Sequence, residues 1–250
     1  MLTEERHQFI LQTLKRDEIV KVKYLMRRLG CSESTVRRDL EQLENEEKLK
    51  RIHGGAQRIY HLDDELTTSE KSFKNIQEKK AIGEMAASLI QNNDVIFIDA
   101  GTTTFTMIPF LEGKSTTVVT NGIQHASLLA DLQIDTILIG GKIKHATKAI
   151  IGSSSVHQLN GYRFNKVFLG MNGLDHTLGC TTPDPEEAEL KKSAHQRTAV
   201  TYVLADQSKF HQVSFAKVCE LDEISVITDN LPDDLQHYRE QTTIKEVAKR

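Results

Sequence analysis

From residue 76 to the end of the chain, short apolar runs alternate with amphipathic stretches, and this alternation restricts the fold more than any other feature. Residues 95–99, 117–120, 136–140, 167–170, 200–205 and 225–228 read as strands, and 77–90 and 186–197 read as helices. Helices placed between strands return the chain across one face of a sheet, so the strands run mostly parallel. An α/β domain over residues 76–250 is the expectation. Its ligands should sit at the carboxyl ends of the strands.

The first 60 residues follow a different pattern. Residues 3–16 read as a helix that Thr3 can cap, with Glu4 and Glu5 at its positive end and Phe9, Ile10, Leu11 and Leu14 on its apolar face. A short strand at 19–22 precedes a second helix over 24–29, which Gly30 stops. Ser32 can cap a third helix running to about Glu46, on which Val36, Leu40 and Leu43 share one face. Residues 48–60 read as two strands around Gly54-Gly55. Residues 61–75, HLDDELTTSEKSFKN, are polar and aperiodic and read as a linker. The expected division is therefore 1–60, 61–75 and 76–250.

Charge separates the two halves. Residues 1–60 carry 13 Lys and Arg against 10 Asp and Glu, whereas the remainder carries 19 against 25. A basic head on an acidic body points to a polyanion as partner of the head. The third helix supplies the chemistry. Ser34, Thr35, Arg37 and Arg38 lie near its start and off the Val36–Leu40–Leu43 face. A recognition helix reads bases from its first turns, with arginine forking onto guanine and hydroxyls meeting bases or phosphates. Lys50, Arg51 and His53 could rest on the flanking backbone as a wing. Asp39 is acidic and is expected to orient Arg37, Arg38 or a neighbouring element. The other reading of such a helix is a solvated face with ordinary arginines. The preceding helix, the glycine turn, the serine cap and the basic hairpin that follows favour DNA.

In the body, Asp99-Ala100-Gly101-Thr102-Thr103-Thr104 follows an apolar strand and opens a helix. Backbone N–H groups and hydroxyls in such a bend suit an anion. The segment lacks the lysine ending of a nucleotide P-loop and the spacing of a dinucleotide fingerprint, so a nucleotide is not the first expectation. Other strand ends bring Thr120-Asn121, Gly140-Gly141-Lys142, Asn172 with Asp175, and Asp206-Gln207-Ser208-Lys209. Lys209 would neutralise phosphate charge, and Asn121, Asn172 and Asp175 could hold sugar hydroxyls.

Arg6, Ile10 and Leu14, the run Ser32-x-x-Thr35-Val36-Arg37-Arg38-Asp39-Leu40, and the wing Ile52-His53-Gly54-Gly55-Ala56 resemble the signature of the DeoR family of bacterial repressors. The resemblance continues through the Asp99–Thr104 loop, Thr120-Asn121, Gly140-Gly141, Glu187, Glu189 and Lys191, and Asp206-x-Ser208-Lys209. These look like that family's sugar-phosphate sensor domain, itself similar to ribose-5-phosphate isomerase and glucosamine-6-phosphate deaminase. The resemblance implies a small winged helix-turn-helix followed by a larger α/β sensor, and it adds Glu187 to the expected effector contacts. The segments Tyr162-Arg163-Phe164, Thr181 to Glu186, and Lys144-His145 look most like the branch that controls fructose operons. That similarity implies fructose 1-phosphate as effector.

The rival reading is a sugar-phosphate isomerase fused to a DNA-binding head. It needs a carboxylate base, for which Glu187 or Glu189 stands in the right segment, and groups that stabilise an enediolate. Where those enzymes carry a paired acidic segment, this chain has Asn172-Gly173 with Asp175 alone. A sensor without catalysis is therefore expected. The ten histidines show no HxxxH spacing, and His145, which could reach a ligand, reads rather as a surface or hydrogen-bonded residue. No metal and no organic cofactor are expected. Cys31, Cys180 and Cys219 form no metal-finger pattern, and the N-terminal MLTEERHQ shows no signal-peptide run, so a reducing cytoplasm is expected. No apolar stretch approaches membrane-spanning length. One winged head covers only a short site, so a homo-oligomer, dimer or tetramer, on paired half-sites is expected.

Overall fold

The computed structural model describes residues 2–59 and 66–247. The chain divides into two compact units, residues 1–61 and 62–250.

The first unit contains α1 (Thr3–Asp17), β1 (Ile19–Lys21), α2 (Val22–Leu29), α3 (Glu33–Asn45), β2 (Leu49–Ile52) and β3 (Gly55–Arg58). The three strands form one antiparallel sheet with β3 in the centre. Val36, Leu40 and Leu43 are buried with Ile10, Leu14, Leu25 and Leu49. Each such side chain contributes about 1.5–3 kcal/mol of apolar burial. Gly30 ends α2 in the left-handed conformation, and the Ser32 hydroxyl accepts the Thr35 N–H at 3.3 Å to start α3. Thr3 does not cap α1. It is the first helical residue, and the N–H of Leu2 before it donates to Glu5 Oε2 at 2.7 Å.

The second unit opens with α4 (Thr68–Ser72) and α5 (Ile76–Ser88), so residues 66–75 are not a bare linker; residues 61–65 lie outside the described residues. The reason is local: Thr67 and Glu70 form a reciprocal capping box that starts α4, and Thr68 N–H donates to Ala146 O at 3.0 Å. Then follow β4 (Val95–Ile98), α6 (Thr102–Phe105), β5 (Thr117–Thr120), α7 (Ile123–Asp131), β6 (Asp135–Leu138), β7 (Lys142–Lys144), β8 (Ala149–Ile151) and α8 (Ser153–Leu159). The remainder is β9 (Lys166–Gly170), β10 (Gly173–Asp175), β11 (Gly179–Thr182), α9 (Pro185–His195), β12 (Thr201–Leu204), β13 (Ala216–Cys219), β14 (Ser225–Thr228) and β15 (Thr243–Glu246).

Seven strands pair in the order β15-β14-β12-β9-β4-β5-β6, every pair parallel. Both faces of this sheet are covered. Ile96, Ile98, Phe168, Leu204 and Ile227 pack under α5 and the Ile108–Leu111 turn, while Phe97, Val167, Leu169, Val203 and Val226 pack on the opposite face. Burial on both faces explains why the strands read as continuous apolar runs. The chain lays β4, β5 and β6 outward in one direction and then returns to place β9, β12, β14 and β15 in the other. The order therefore reverses between β4 and β9, and the loops leaving their carboxyl ends diverge to leave a crevice. A three-stranded antiparallel sheet, β10-β11-β13, and the β7-β8 hairpin complete the unit. No helix among the described residues is long and apolar enough to cross a membrane.

Candidate functional site

In the first unit, α3 turns its apolar face inward and leaves Ser34, Arg37 and Arg38 exposed, with Thr35 half-buried. Arg37 donates twice to Glu33 Oε1, at 2.8 and 2.6 Å, one helical turn back. Arg38 makes no hydrogen bond or ion pair with any described residue. Ser34 and Thr35 hydroxyls both lie 2.9 Å from Ser32 Oγ, so all three hydroxyls cluster at the helix start. Asp39 faces the other way. It receives Arg6 through Nε at 2.7 Å and NH2 at 2.9 Å, and it is buried. This pair ties α1 to α3 and holds the Arg6 guanidinium above its ordinary pKa, chiefly through the hydrogen bond to Asp39. Lys50, Arg51 and His53 are exposed on the β2–β3 hairpin, and the Arg51 N–H donates to Glu44 Oε1 at 2.7 Å.

The crevice of the second unit is open to solvent and spans about 780 Å³ with its open mouth included. It lies where the strand order reverses. The bend after β4 brings Asp99, Gly101, Thr102 and Thr103, the end of β9 brings Gly170 and Asn172, and the segment after β12 brings Asp206, Ser208 and Lys209. The Thr102 and Thr103 amides open the first turn of α6, where no helical carbonyl can reach them. Of the expected effector contacts, Asp99, Gly101, Thr102, Thr103, Asn172, Glu187 and Lys209 line this one cavity.

The other expected contacts stand elsewhere, each for a visible reason. Thr104 is fully buried and braces the bend: its Oγ1 accepts the Gly101 N–H at 3.0 Å and lies 2.5 Å from Asp99 O. Thr120 Oγ1 is spent on Ile98 O at 2.6 Å. Asn121 is buried, accepting the Ala100 N–H at 3.0 Å and donating to Ile150 O at 3.2 Å. These three shape the bend from behind rather than lining the cavity. Gly140, Gly141 and Lys142 are exposed beyond the edge strand β6, and Lys142 pairs with Glu186 at 3.3 Å. Asp175 is buried at the far end of β10, where its Oδ1 accepts the Thr177 and Leu178 N–H groups at 2.9 and 3.1 Å, closing a turn.

Five lining residues absent from the expected contacts, Leu66, Thr68, Lys71, Lys74 and Asn75, come from the segment read as a linker. Lys71 lies in the last turn of α4, Lys74 and Asn75 follow that helix, and Lys79 lies on the first turns of α5. The lysine spacing in EKSFKN, just after the Thr67-x-x-Glu70 cap signal, was the available clue. Lys191 of α9 also lines the cavity and forms a buried ion pair with Asp99, whose Oδ2 additionally accepts the Gly170 N–H at 3.1 Å. Glu187 accepts the Thr147 hydroxyl at 2.7 Å and pairs with Lys144 at 3.3 Å. Asp206 Oδ1 accepts Asn75 Nδ2 at 2.9 Å and the Ser208 N–H at 3.0 Å. Asp99 and Glu187 are thus compensated within the fold. Burial pushes the Lys79 ammonium below its ordinary pKa, with Lys209 and Lys71 adding repulsion and Asp206 opposing. Cations held close together and partly dehydrated favour an incoming anion. Behind the bend, His125 is buried 3.2 Å from Thr104 Oγ1, and burial pushes its pKa down to about 4.

Comparison with known proteins bears on both units. The DeoR-like helix-turn-helix domain matches residues 6–61, and the DeoR C terminal sensor domain matches residues 74–230. A Bacillus subtilis (strain 168) protein described as "Uncharacterized HTH-type transcriptional regulator FruR" is 44% identical over 249 residues, covering 99% of each chain. The HTH-type transcriptional repressor GlcR of the same organism is 34% identical, over 93% of this chain and 91% of its own. Among solved structures, ribose 5-phosphate isomerase A of Methanocaldococcus jannaschii overlaps 55% of each chain with a TM-score of 0.42 and 17% identity. That overlap is too distant to bear on activity.

Proposed function

The chain belongs to the DeoR family of transcriptional regulators, and from that premise we propose that it represses a sugar-utilisation operon and releases its operator when a phosphorylated sugar fills the crevice of the second unit. The observation that carries this reading is the crevice itself. It gathers Thr102, Thr103, Lys79 and Lys209 around one cavity at the reversal point of a parallel sheet. Lys209 makes no ion pair with a described residue, so a phosphate dianion supplies the charge it lacks. Asn172 and Asp206 line the same cavity and in this reading would hold sugar hydroxyls. The segments Tyr162-Arg163-Phe164, Thr181 to Glu186 and Lys144-His145, which resemble the branch that controls fructose operons, favour fructose 1-phosphate as the sugar.

In the first unit, Ser34, Thr35, Arg37 and Arg38 enter the major groove, and Lys50, Arg51 and His53 hold the flanking backbone. A homo-oligomer, dimer or tetramer, presents two such heads to paired half-sites. Catalysis is not part of this reading: Glu187, the candidate base, is tied up with Lys144 and Thr147, and Glu189 is exposed outside the crevice.

The test is a thermal-shift screen of the full-length protein against fructose 1-phosphate, fructose 6-phosphate, ribose 5-phosphate and inorganic phosphate. Fructose 1-phosphate at about 100 times its Kd should add about 2.7 kcal/mol of stability, and Lys209→Ala and Thr102→Ala should lose that gain. A flat response to all sugar phosphates, or an equal response in both variants, contradicts the reading.

A further inference from the structure

We propose that His176, His211 and His237 of the second unit form a binding site for one divalent transition-metal ion. The three come from separate elements: the turn between β10 and β11, the bend after the Gln207–Lys209 turn, and the 3-10 helix Asp233–Glu240. One ring nitrogen from each lies within 4.8 Å of the other two. The His211 and His237 rings stack 5.4 Å apart at 21°, and the His176 ring stands nearly perpendicular to both, at 6.3 and 5.8 Å. Three imidazoles are thus gathered around one point, one of them buried and two half-buried, and neutral imidazole is a common ligand of transition metals.

The network around Tyr238 sets up one of the ligands. Its hydroxyl donates to Leu174 O at 3.0 Å and accepts the His211 backbone N–H at 3.1 Å. The same oxygen lies 3.2 Å from His211 Nδ1. Because its proton is given to a carbonyl, the phenol oxygen receives Nδ1–H, and the lone pair of His211 resides on Nε2. A second-shell acceptor that fixes the tautomer in this way is what a metal-ligating histidine requires. His176 Nδ1 is buried and has no hydrogen-bond partner among the described residues. An ion at the centre would give it one.

The donor set identifies the class of ion. Three imidazoles without a carboxylate suit Zn²⁺, Co²⁺, Ni²⁺ or Cu²⁺ and not Mg²⁺ or Ca²⁺. At metal–nitrogen distances of about 2.0–2.1 Å, a tetrahedral ion needs nitrogens roughly 3.3 Å apart, so the rings must close slightly. His176 and His237, half-buried, have the freedom to do so. A water takes the fourth position. The ion would join the segments that begin at Asn172 and Lys209 to the 3-10 helix, and this proposal does not depend on what binds the crevice.

The experiment is titration of EDTA-treated full-length protein with Co²⁺, read by visible absorption, and with Zn²⁺, read by calorimetry. The expected result is one ion per chain with the intense bands of four-coordinate Co²⁺. Outer-shell changes at metal sites cost about 10–100-fold in affinity, so loss of a ligand should cost at least as much. His176→Ala and His237→Ala should each weaken binding by that factor while retaining the wild-type circular dichroism. His157→Ala, an exposed histidine outside the cluster, should bind as wild type. Absence of saturable binding, or equal affinity in the wild type and both cluster variants, would overturn the proposal.

Discussion

Arg38 and Asp39 are adjacent in the chain and opposite in role. Arg38 projects from α3 without a partner among the described residues, whereas Asp39 is buried against Arg6. Arg38→Ala should therefore leave folding intact and weaken operator binding by about 1–3 kcal/mol, read by fluorescence anisotropy at fixed salt. Asp39→Ala should do the reverse first. It strips a partly buried guanidinium of its carboxylate and should cost the head about 1–3 kcal/mol in urea unfolding. The Val36, Leu40 and Leu43 spacing made the outward direction of Arg38 legible from the sequence. The partner of Asp39 was not, because a contact between α1 and α3 depends on how helices pack. His125 provides a third test. Its pKa falls from 6.5 to about 4 on burial, so the unfolded chain binds the extra proton between those values. Its contribution is complete above pH 6.5 and is lost as pH drops toward 4, in total roughly 3 kcal/mol. His125→Gln should flatten that part of the stability profile of the second unit; an unchanged slope between pH 7 and 5 would contradict it.

At the scale of elements, the hairpin depends on close approach of two strands. A side chain at Gly55 would meet Val20 O at 2.1 Å, inside the β1–β3 pairing. Gly55→Ala should destabilise the head by about 1–3 kcal/mol and lower DNA affinity with it, measurable as a lower denaturation midpoint. Elements with strong patterns were legible: the six strands read from the sequence all recur in the parallel sheet, with edges moved by one or two residues. The short elements were not. β7, β8, β10 and β11 have three or four residues each, and β15 reads Thr-Ile-Lys-Glu on a sheet edge. Such segments obtain their conformation from neighbours rather than from periodicity. The same applies to α4, whose polar composition looked like linker although the Thr67–Glu70 box was written in it.

At the scale of the molecule, half of the expected effector contacts line one cavity because parallel strands release their carboxyl ends on a single edge. The others were read from strand ends too, but Thr104, Thr120 and Asn121 are turned inward and the Gly140–Lys142 segment leaves an outer strand. The histidine cluster is assembled from three distant segments, and sequence spacing could not disclose it. The central claim is that anion binding in the second unit changes DNA affinity in the first. By linkage, effector and operator must weaken each other by the same factor, typically 1–3 kcal/mol, or about 5–150-fold. The direct measurement is anisotropy of labelled operator with full-length protein, with and without saturating fructose 1-phosphate. The account predicts weakening in that range, together with an equal weakening of fructose 1-phosphate by operator; an operator affinity that does not change at saturation would contradict it.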